Sequence, residues 1–354
     1  MNFETKKLNK RQEAILRCFF RGGEFSVADV LGYLQKDFAK ISRITVVRDM
    51  AFLVREGFLM RQGAGRAVKY TAAPLYNLVR PIDVEKYFST EQDRRQIKGR
   101  FDFGIFDAFR GSVFTVQEKK NLASLYGEFR RKFKKIESPG LIAKEFERIM
   151  IEFSWKSSQI EGNTYSLLDT EALIKENKIA AGKTKQETQM ILNHKKAFDF
   201  ILEHKNEFKA LSRAKIEQLH RILTAGLGIG KNLRTAPVGI TGTNYKPLDN
   251  VFQIEEAIGK MLKLINAKKD FFEKAFLSLI LLSYIQPFED GNKRVARLVS
   301  NAVLLAHGTA PISYRAVDEV EYKKASLLFY EVNNLSYFKQ VFMNQFEFAV
   351  RNYF

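Results

Sequence analysis

The 354-residue chain contains one cysteine, seven prolines and no apolar run long enough to span a membrane. The single cysteine, Cys18, excludes a disulfide framework and a cysteine-rich zinc site, and it fits a reducing compartment. The scarcity of proline predicts helices with few interruptions. The longest nearly uncharged apolar run, residues 275–285, is too short to cross a bilayer. The N-terminus also lacks the apolar core of a secretion signal. These absences predict a cytoplasmic protein with no membrane partner.

Acidic residues are also in deficit. The chain has 58 Lys and Arg against 40 Asp and Glu, which gives a formal net charge of +18. This surplus favours polyanionic partners such as nucleic acids or nucleotides, although it also favours solubility. Hydrophobic residues make up 45% of the chain and charged residues 28%, as is usual for a globular protein. The length allows two domains.

Residues 1–72 are predicted to form a winged helix-turn-helix. Residues 10–21 have the apolar spacing of a helix, and Ser26 and Ser42 are suitable N-cap residues for two further helices. Two β-prone runs follow within residues 58–71, joined by a glycine-rich tip that is typical of a hairpin wing.

Cationic residues are concentrated in this part of the chain. Residues 1–80 contain 15 Lys and Arg against 7 Asp and Glu, a surplus of 8. Recognition helices place their N-termini in the major groove, and wings contact the DNA backbone. The candidate DNA-binding residues are Arg43, Thr45 and Arg48 on the third helix and Arg66 and Lys69 on the wing. Winged helices also serve in protein docking or dimerisation, which remains an alternative, and paired half-sites would favour a homodimer.

The rest of the chain is predicted to be helical. Residues 73–115 are interpreted as a connector, in which Phe101, Phe103 and Phe106 are expected to pack onto the domain that follows, residues 116–354. One exception, residues 234–250, has the pattern of a β-hairpin. The predicted helices are 117–136, 140–162, 168–177, 185–205, 212–226, 251–267, 270–285, 292–306, 318–335 and 339–352. The predicted fold class is mainly α.

A short polar segment between two apolar helical runs is the main functional signal. It begins at Gln286 and reads Gln-Pro-Phe-Glu-Asp-Gly-Asn-Lys-Arg-Val-Ala-Arg. A helix N-terminus attracts anions, and Gly291 permits a close approach of the backbone to a phosphate. Asp290 supplies a carboxylate for Mg²⁺. Further candidate phosphate ligands are Asn292, Arg294 and Arg297. Asp-Gly-Asn also forms ordinary turns, so the spacing alone leaves both interpretations open.

The segment resembles the signature loop of the Fic (Fido) family, His-Pro-Phe-x-Asp-Gly-Asn-Gly-Arg-x-x-Arg. Two other stretches resemble motifs of the same family. Residues 234–247 are similar to its flap, which clamps a target segment by strand addition. Residues 157–163, Ser-Ser-Gln-Ile-Glu-Gly-Asn, are similar to its autoinhibitory motif (Ser/Thr)-x-x-x-Glu-(Gly/Asn). Together the three motifs cover roughly residues 115–350.

The resemblance implies transfer of AMP from ATP to a Ser, Thr or Tyr hydroxyl of a protein. It implies Mg²⁺ at Asp290, and a γ-phosphate site at Arg297 that Glu161 blocks when the site is closed. The implied phosphate-binding residues are Gly291, Asn292, Lys293, Arg294 and Arg297, the implied inhibitory residues are Ser157 and Glu161, and the implied flap residues are Thr241, Gly242 and Tyr245.

Two positions depart from the family pattern. Gln286 stands where the family has its catalytic His, and an amide has no usable basicity near neutral pH. Lys293 stands where AMP-transferring members usually have Gly. A Lys at this position resembles the loops of the Doc branch, which is associated with phosphate transfer. The four histidines, distant from the loop in sequence, are interpreted as packing or surface residues: His194, His204, His220 and His307.

Three functions stay open at this point. The first is an autoinhibited, atypical transferase that uses ATP to modify a protein. The second is a catalytically silent nucleotide-binding domain that makes the protein a ligand-responsive DNA-binding regulator. The third is a component of a toxin–antitoxin type complex.

Overall fold

The computed structural model describes residues 8–19, 23–38 and 40–354, and the side chains of Arg66 and Leu75 lie outside that description. The chain is mainly α-helical, as its sequence predicts. It divides into two compact units. The first comprises Met1–Pro81 and Asp107–Lys120, and the second comprises Ile82–Phe106 and Asn121–Phe354.

The first part of the chain contains short helices and a hairpin. In Ser26 and Ser42 the side-chain hydroxyl accepts a backbone N–H of the helix that follows, as the sequence predicts. Phe25 forms an antiparallel bridge with Tyr70 of the second strand. The elements are α1 (Lys10–Cys18), α2 (Val27–Leu34), α3 (Arg43–Arg55), β1 (Leu59–Gln62), β2 (Lys69–Ala72) and α4 (Pro74–Val79). Their identification as a winged helix-turn-helix stays a prediction, and Arg21, the predicted end of the first helix, lies outside the described residues.

An apolar core holds these elements together. Ile15, Val30 and Val46, one from each of the three helices, are fully buried. Cys18 is half-buried, and burial raises the pKa of its thiol to about 12. The thiol is therefore a packing group and not a reactive one.

Each remaining helix that periodicity predicts begins and ends within three residues of its predicted boundaries. None of the helices in the described ranges has the length and hydropathy needed to cross a bilayer. They are α5 (Val84–Phe88), α6 (Ile105–Ala108), α7 (Val116–Lys135), α8 (Pro139–Ile160), α9 (Leu167–Glu176), α10 (Lys185–Glu203), α11 (Arg213–Leu223), α12 (Val251–Ala267), α13 (Phe271–Ile285), α14 (Asn292–Ala306), α15 (Glu319–Val332) and α16 (Ser336–Asn352).

Residues 234–250 do not form the predicted β-hairpin. Across the described residues the one strand ladder joins β1 and β2. The N–H of Lys246 donates to the carbonyl of Gly99 at 3.0 Å, within a parallel bridge between Lys246 and Arg100. The second arm of the flap therefore pairs with the segment before α6, and not with the first arm. A local hydrophobic pattern does not specify which backbone supplies the partner.

The segment before α6 also packs through its aromatic residues, as expected. The ring of Phe101 stacks on that of Tyr284 with centroids 4.5 Å apart. The backbone N–H of Asp102 donates to the Tyr284 hydroxyl at 3.1 Å. This packing fixes the segment against α13, the helix that leads into the candidate site.

Candidate functional site

Two residues with left-handed backbone frame the loop between α13 and α14. Gln286, with φ of +51°, ends α13, and Gly291, with φ of +80°, precedes α14. A Cβ added at Gly291 would lie 3.4 Å from Thr224 Cγ2. Glycine therefore suits position 291 for both its φ and its lack of a side chain. Gln286 adopts the same region with a side chain, which requires that its surroundings hold it there.

The side chain of Asn292 shapes this loop. Its Nδ2 donates to the carbonyl of Phe288 and its Oδ1 accepts the N–H of the same residue, each at 2.8 Å. Both amide groups are thus engaged within the loop. The Nδ2 amide keeps a second hydrogen, so the phosphate contact predicted for the Asn292 side chain does not require either of these hydrogen bonds to break.

His220, distant from the loop in sequence, packs against it in the structure. Its ring stacks on Phe288 with centroids 3.8 Å apart, and its Nε2 lies 3.0 Å from the carbonyl oxygen of Asp290. Because a carbonyl only accepts, Nε2 carries the proton and Nδ1 is free of one. Burial lowers the pKa of His220. The neutral ring therefore supports the loop, and the 70-residue separation from Asp290 hid this contact from local sequence patterns.

Gln286 is 7% exposed and points its amide at the backbone. Its Nε2 donates to the carbonyl of Ser283 at 2.6 Å. The backbone carbonyl of Gln286 accepts the Nε–H of Arg234 at 2.6 Å. The backbone N–H of Arg234 donates to the carbonyl of Pro287 at 3.0 Å. Arg234 also donates to Ala236. Arg234 thus ties the start of the flap to the loop, a role that sequence reasoning missed because buried arginines carry no local signature.

The cations of the motif differ in their surroundings. The Arg294 side chain is 3% exposed and donates to Asp290 at 2.8 Å, while its Nη1 is buried and has no hydrogen-bond partner within the described residues. The Asp290 side chain is 64% exposed and also accepts the N–H of Gly291. Lys293 lies 3.8 Å from Glu161. A buried, unsatisfied guanidinium nitrogen is costly and suits an anionic ligand.

Arg297 joins α14 to the end of α8. Its side chain is fully buried, and it donates through Nε to the Ser157 hydroxyl at 2.9 Å and through Nη2 to the Ser157 carbonyl at 2.8 Å and to Glu161 at 2.9 Å. Nη1 has no partner in the described part of the chain. Burial raises the pKa of Glu161, but the positive charges of Arg297, Lys293 and Arg294 lower it by more than burial raises it. The net pKa is below the ordinary value, so the carboxylate is ionised. The structure therefore brings the predicted inhibitory residues onto Arg297.

An open cleft of about 180 Å³ is lined by Glu161 and Arg294, whereas the fully buried Arg297 does not line it. It receives residues from all three motifs that the sequence singles out. Of the flap residues, Thr241 lines it, whereas Gly242 and Tyr245 do not. Tyr245 is 2% exposed and stacks on Tyr284. The cleft is lined by Glu161, Val238, Gly239, Ile240, Thr241, Gln286, Glu289, Asp290, Gly291, Asn292, Lys293 and Arg294.

The donor set of the cleft fits Mg²⁺ only together with a phosphate ligand. No group of three or more His, Cys, Asp and Glu side chains suited to a metal is found among the residues described. Mg²⁺ is commonly held by one or two carboxylates plus substrate phosphates and waters. Asp290 supplies one exposed carboxylate, which is paired with Arg294. Asp290 therefore fits the role of a magnesium ligand when a nucleotide is present.

Three of the predicted DNA-binding residues lie on α3, and Lys69 begins β2. Arg43 and Arg48 are exposed, and Thr45 is half-buried with its hydroxyl 2.9 Å from that of Ser42. Lys69 lies 3.6 Å from Asp29. The side chain of Arg66 lies outside the described residues. The exposed face of α3 also carries Ile44, which is 65% exposed, so the surface is both cationic and apolar.

Comparisons with known proteins find similar sequences. Residues 210–304 match the sequence pattern of the Fic/DOC family. Protein adenylyltransferase Fic of Nematostella vectensis is 31% identical over 179 residues, which are 48% of this chain and 40% of that protein. Protein adenylyltransferase fic-1 of Caenorhabditis elegans is 23% identical over 243 residues, 67% of this chain and 47% of that protein. The chain spans less than half the length of these curated relatives.

Solved structures show a similar fold. A Fic-1 fragment from C. elegans superposes with a TM-score of 0.58 at 18% identity and covers 97% of both chains. A Fic domain containing signaling protein from Bacteroides thetaiotaomicron gives a TM-score of 0.54 at 20% identity, over 65% of this chain and 94% of that one. At these identities the likeness concerns the fold.

Proposed function

Because residues 210–304 match the sequence pattern of the Fic/DOC family, we propose that the cleft binds ATP and that the protein transfers AMP to a protein hydroxyl, slowly and under the control of Glu161. The observation that carries the proposal is the pair of buried arginines behind the cleft. Arg294 and Arg297 each keep a buried Nη1 with no partner within the described ranges. Two such groups at the N-terminus of one helix suit a polyphosphate.

The remaining ligands of a nucleotide are supplied by the loop. Gly291 permits close approach of a phosphate to the helix N-terminus, and Lys293 adds a half-exposed cation at the rim. Asp290 would hold Mg²⁺, which supplies charge neutralisation between neighbouring phosphates. Names of the curated relatives, protein adenylyltransferases, support ATP as the nucleotide.

The reaction would form one bond and break one. A hydroxyl oxygen of the target protein bonds to the α-phosphorus, and the bond from that phosphorus to the bridging oxygen breaks and releases pyrophosphate. The hydroxyl proton must leave as well. Gln286 cannot accept it near neutral pH, so the proton passes to water. Loss of general-base assistance typically costs a factor of about 10²–10⁴, which makes slow transfer the expectation.

Glu161 restrains the site because its carboxylate pairs with Arg297, a cation that the nucleotide needs. Its carboxylate lies 2.9 Å from Arg297 and 3.8 Å from Lys293. A terminal phosphate placed against Arg297 would meet that carboxylate, so the two anions compete for one position. Removing Glu161 is therefore expected to raise ATP affinity.

The proposal is tested with wild type and Glu161→Gly by calorimetry with Mg²⁺ and ATP and by label transfer from α- and γ-labelled ATP. Tighter ATP binding and transfer of the α label by Glu161→Gly would support it. Glu171→Ala, on the exposed face of α9, is the control and should behave as wild type. If Glu161→Gly binds no ATP the proposal is lost, and transfer of the γ label alone would replace AMP transfer with phosphate transfer.

A second candidate is a silent nucleotide-binding domain in a DNA-binding regulator. The exposed Arg43 and Arg48 on α3 favour it, as does the absence of a base at Gln286. Selection from a genomic fragment pool tests DNA binding, with Arg43→Ala plus Arg48→Ala as the variant. Sequence-specific retention that this variant loses, with ATP binding intact, would support the regulator. If no fragment is retained, a docking role for the exposed face of α3 replaces it.

A further inference from the structure

His194 contacts the inhibitory segment from a different helix. It lies on α10, is fully buried, and its Nε2 is 3.0 Å from the hydroxyl oxygen of Ser157, a residue 37 positions earlier. Its Nδ1 is 2.9 Å from the carbonyl oxygen of Met190. The imidazole is thus bonded at both nitrogens, once within its own helix and once to α8.

These contacts fix where the protons are. The Met190 carbonyl can only accept, so Nδ1 of His194 carries a proton and donates it. Burial lowers the pKa of His194 to about 3, so the ring is neutral and its Nε2 can only accept. The Ser157 hydroxyl therefore donates to Nε2. The lone pairs of the Ser157 oxygen are then free to accept the Nε–H of Arg297. The distance from Arg297 Nε to Ser157 Oγ is 2.9 Å.

We propose that His194 is a positioning residue for Arg297, which it orients through the Ser157 hydroxyl so that the guanidinium meets Glu161. The proposal rests on the proposed function of the same site. It adds a third element to the closed contact, because α10 supplies the group that sets the direction of the Ser157 hydroxyl. Without that acceptor the hydroxyl rotates freely and can turn its proton toward the arginine.

The orientation matters because Arg297 has several donors and few partners. Nε and Nη2 are held by Ser157 and Glu161, while Nη1 is unpaired among the described groups. A guanidinium is a rigid fork, so fixing its Nε–H fixes the direction of the other nitrogens. Loss of the His194 acceptor is expected to weaken both the contact with Glu161 and a contact with a phosphate in its place.

The test measures how strongly Glu161 opposes ATP, with and without His194. The quantity is the ratio of the ATP dissociation constants of the chain with Glu161 and of its Glu161→Gly variant. In His194→Phe, which keeps a ring of similar size, the ratio should fall about three- to tenfold, the value of one hydrogen bond. A general loss of structure would raise both constants alike and leave the ratio unchanged, which would overturn the proposal.

Companion variants identify the route. Ser157→Ala should lower the ratio as His194→Phe does, and the double variant should be no worse, because both break one chain of contacts. His194→Gln keeps an acceptor and should restore most of the ratio. Ser158→Ala is the matched control, since Ser158 is equally buried and lies 3.3 Å from His194 Nδ1 but does not bond Arg297. A ratio that falls equally in Ser158→Ala would contradict the proposal.

A second measurement does not depend on nucleotide binding, so failure of ATP binding in Glu161→Gly rejects the proposed function alone. The Nε–H of Arg297, assigned in NMR spectra with Arg297→Lys, should exchange slowly with solvent in wild type and in Ser158→Ala. In His194→Phe and Ser157→Ala it should exchange about three- to tenfold faster, the loss of one hydrogen bond. Unchanged exchange in His194→Phe would overturn the positioning role.

Discussion

The two sides of the cleft are built differently. On the loop side, residues 286–294, backbone conformation is fixed at both ends and the Asn292 amide is bonded twice to one residue. On the flap side, residues 238–241 have no strand partner within the described residues. The flap is held at its ends instead, by Arg234 on one arm and by Arg95, which donates to the Gly242 carbonyl at 2.5 Å, on the other.

In the proposed function this difference would separate two tasks. Binding of a polyphosphate requires fixed donors, and the loop side has them before any ligand arrives. Binding of a protein segment by strand addition requires exposed backbone groups, and a flap without a ladder of its own leaves them free. Variants of the loop side are therefore expected to change ATP binding or chemistry, and variants of the flap anchors to change the affinity for the target protein.

The largest effect is expected at Gln286. In the Glu161→Gly background, Gln286→His supplies a general base and should raise the rate of label transfer by about 10²–10⁴, with little change in the ATP dissociation constant. Gln286→Ala, which supplies no base, is the matched control and should not raise the rate. The same rate in Gln286→His and Gln286→Ala would show that another feature limits the chemistry.

The next effect concerns stability on the loop side. Arg297→Gln removes the main partner of Glu161 and should lower the free energy of unfolding in urea by about 3 kcal/mol. This is the lower end of the range for buried pairs, because 19% of the Glu161 side chain is exposed. Arg213→Gln removes an arginine that is 46% exposed and pairs with Glu217 and Glu255, and it should cost less than about 1 kcal/mol. Equal losses in the two variants would contradict the importance of burial.

The flap side is tested through Arg95. Its side chain is 7% exposed and bonds both the Gly242 carbonyl and the buried Glu331. Both bonds come from one nitrogen, Nη2. Arg95→Lys keeps a charge for Glu331 but replaces the planar guanidinium with a shorter ammonium, which is not expected to hold both acceptors. The KM for the target protein should rise about tenfold, the value of one charge-assisted hydrogen bond, with ATP affinity unchanged. Lys98→Ala, on the same segment, is the control. If Arg95→Lys also lost ATP affinity to a similar degree, the two sides of the cleft would not act separately.

The smallest effect should change sign with the background. Lys293 faces Glu161 in the closed site and would face phosphate in the open one. Lys293→Gln should tighten ATP binding about twofold when Glu161 is present, because the closed state loses a partly exposed contact. In the Glu161→Gly background it should weaken binding by a similar factor. A change of ATP affinity in the same direction in both backgrounds would show that Lys293 has only one of the two roles.

The helical part of the fold was predictable because it depends on local information. Apolar periodicity and cap residues such as Ser26 and Ser42 mark helix ends within the segment that they describe. The flap could not be predicted in the same way. Its second arm pairs with Gly99, far away in the sequence, and a β-prone pattern does not say where its partner lies.

The candidate site was predictable in its members and not in their orientations. The motif residues from Gln286 to Arg294 do meet Glu161 at one cleft. The inward turn of the Asn292 amide, the support from His220 and the anchor at Arg234 all depend on contacts between distant segments. Local spacing carries no information about such contacts, and a buried polar group finds whichever partner the fold provides.

The buried imidazole of His194 has a consequence for acidity. With a pKa of about 3 the ring stays neutral as pH falls from 8 to 5, although the ordinary pKa of 6.5 lies within that interval. The pKa of Glu161 lies below its ordinary value, so this carboxylate keeps its charge over the same interval against Arg297, Arg294 and Lys293. Protons therefore do not open the contact between Glu161 and Arg297. In the proposed function an anion that competes for the guanidinium would open it, so opening would depend on the concentration of that anion rather than on pH.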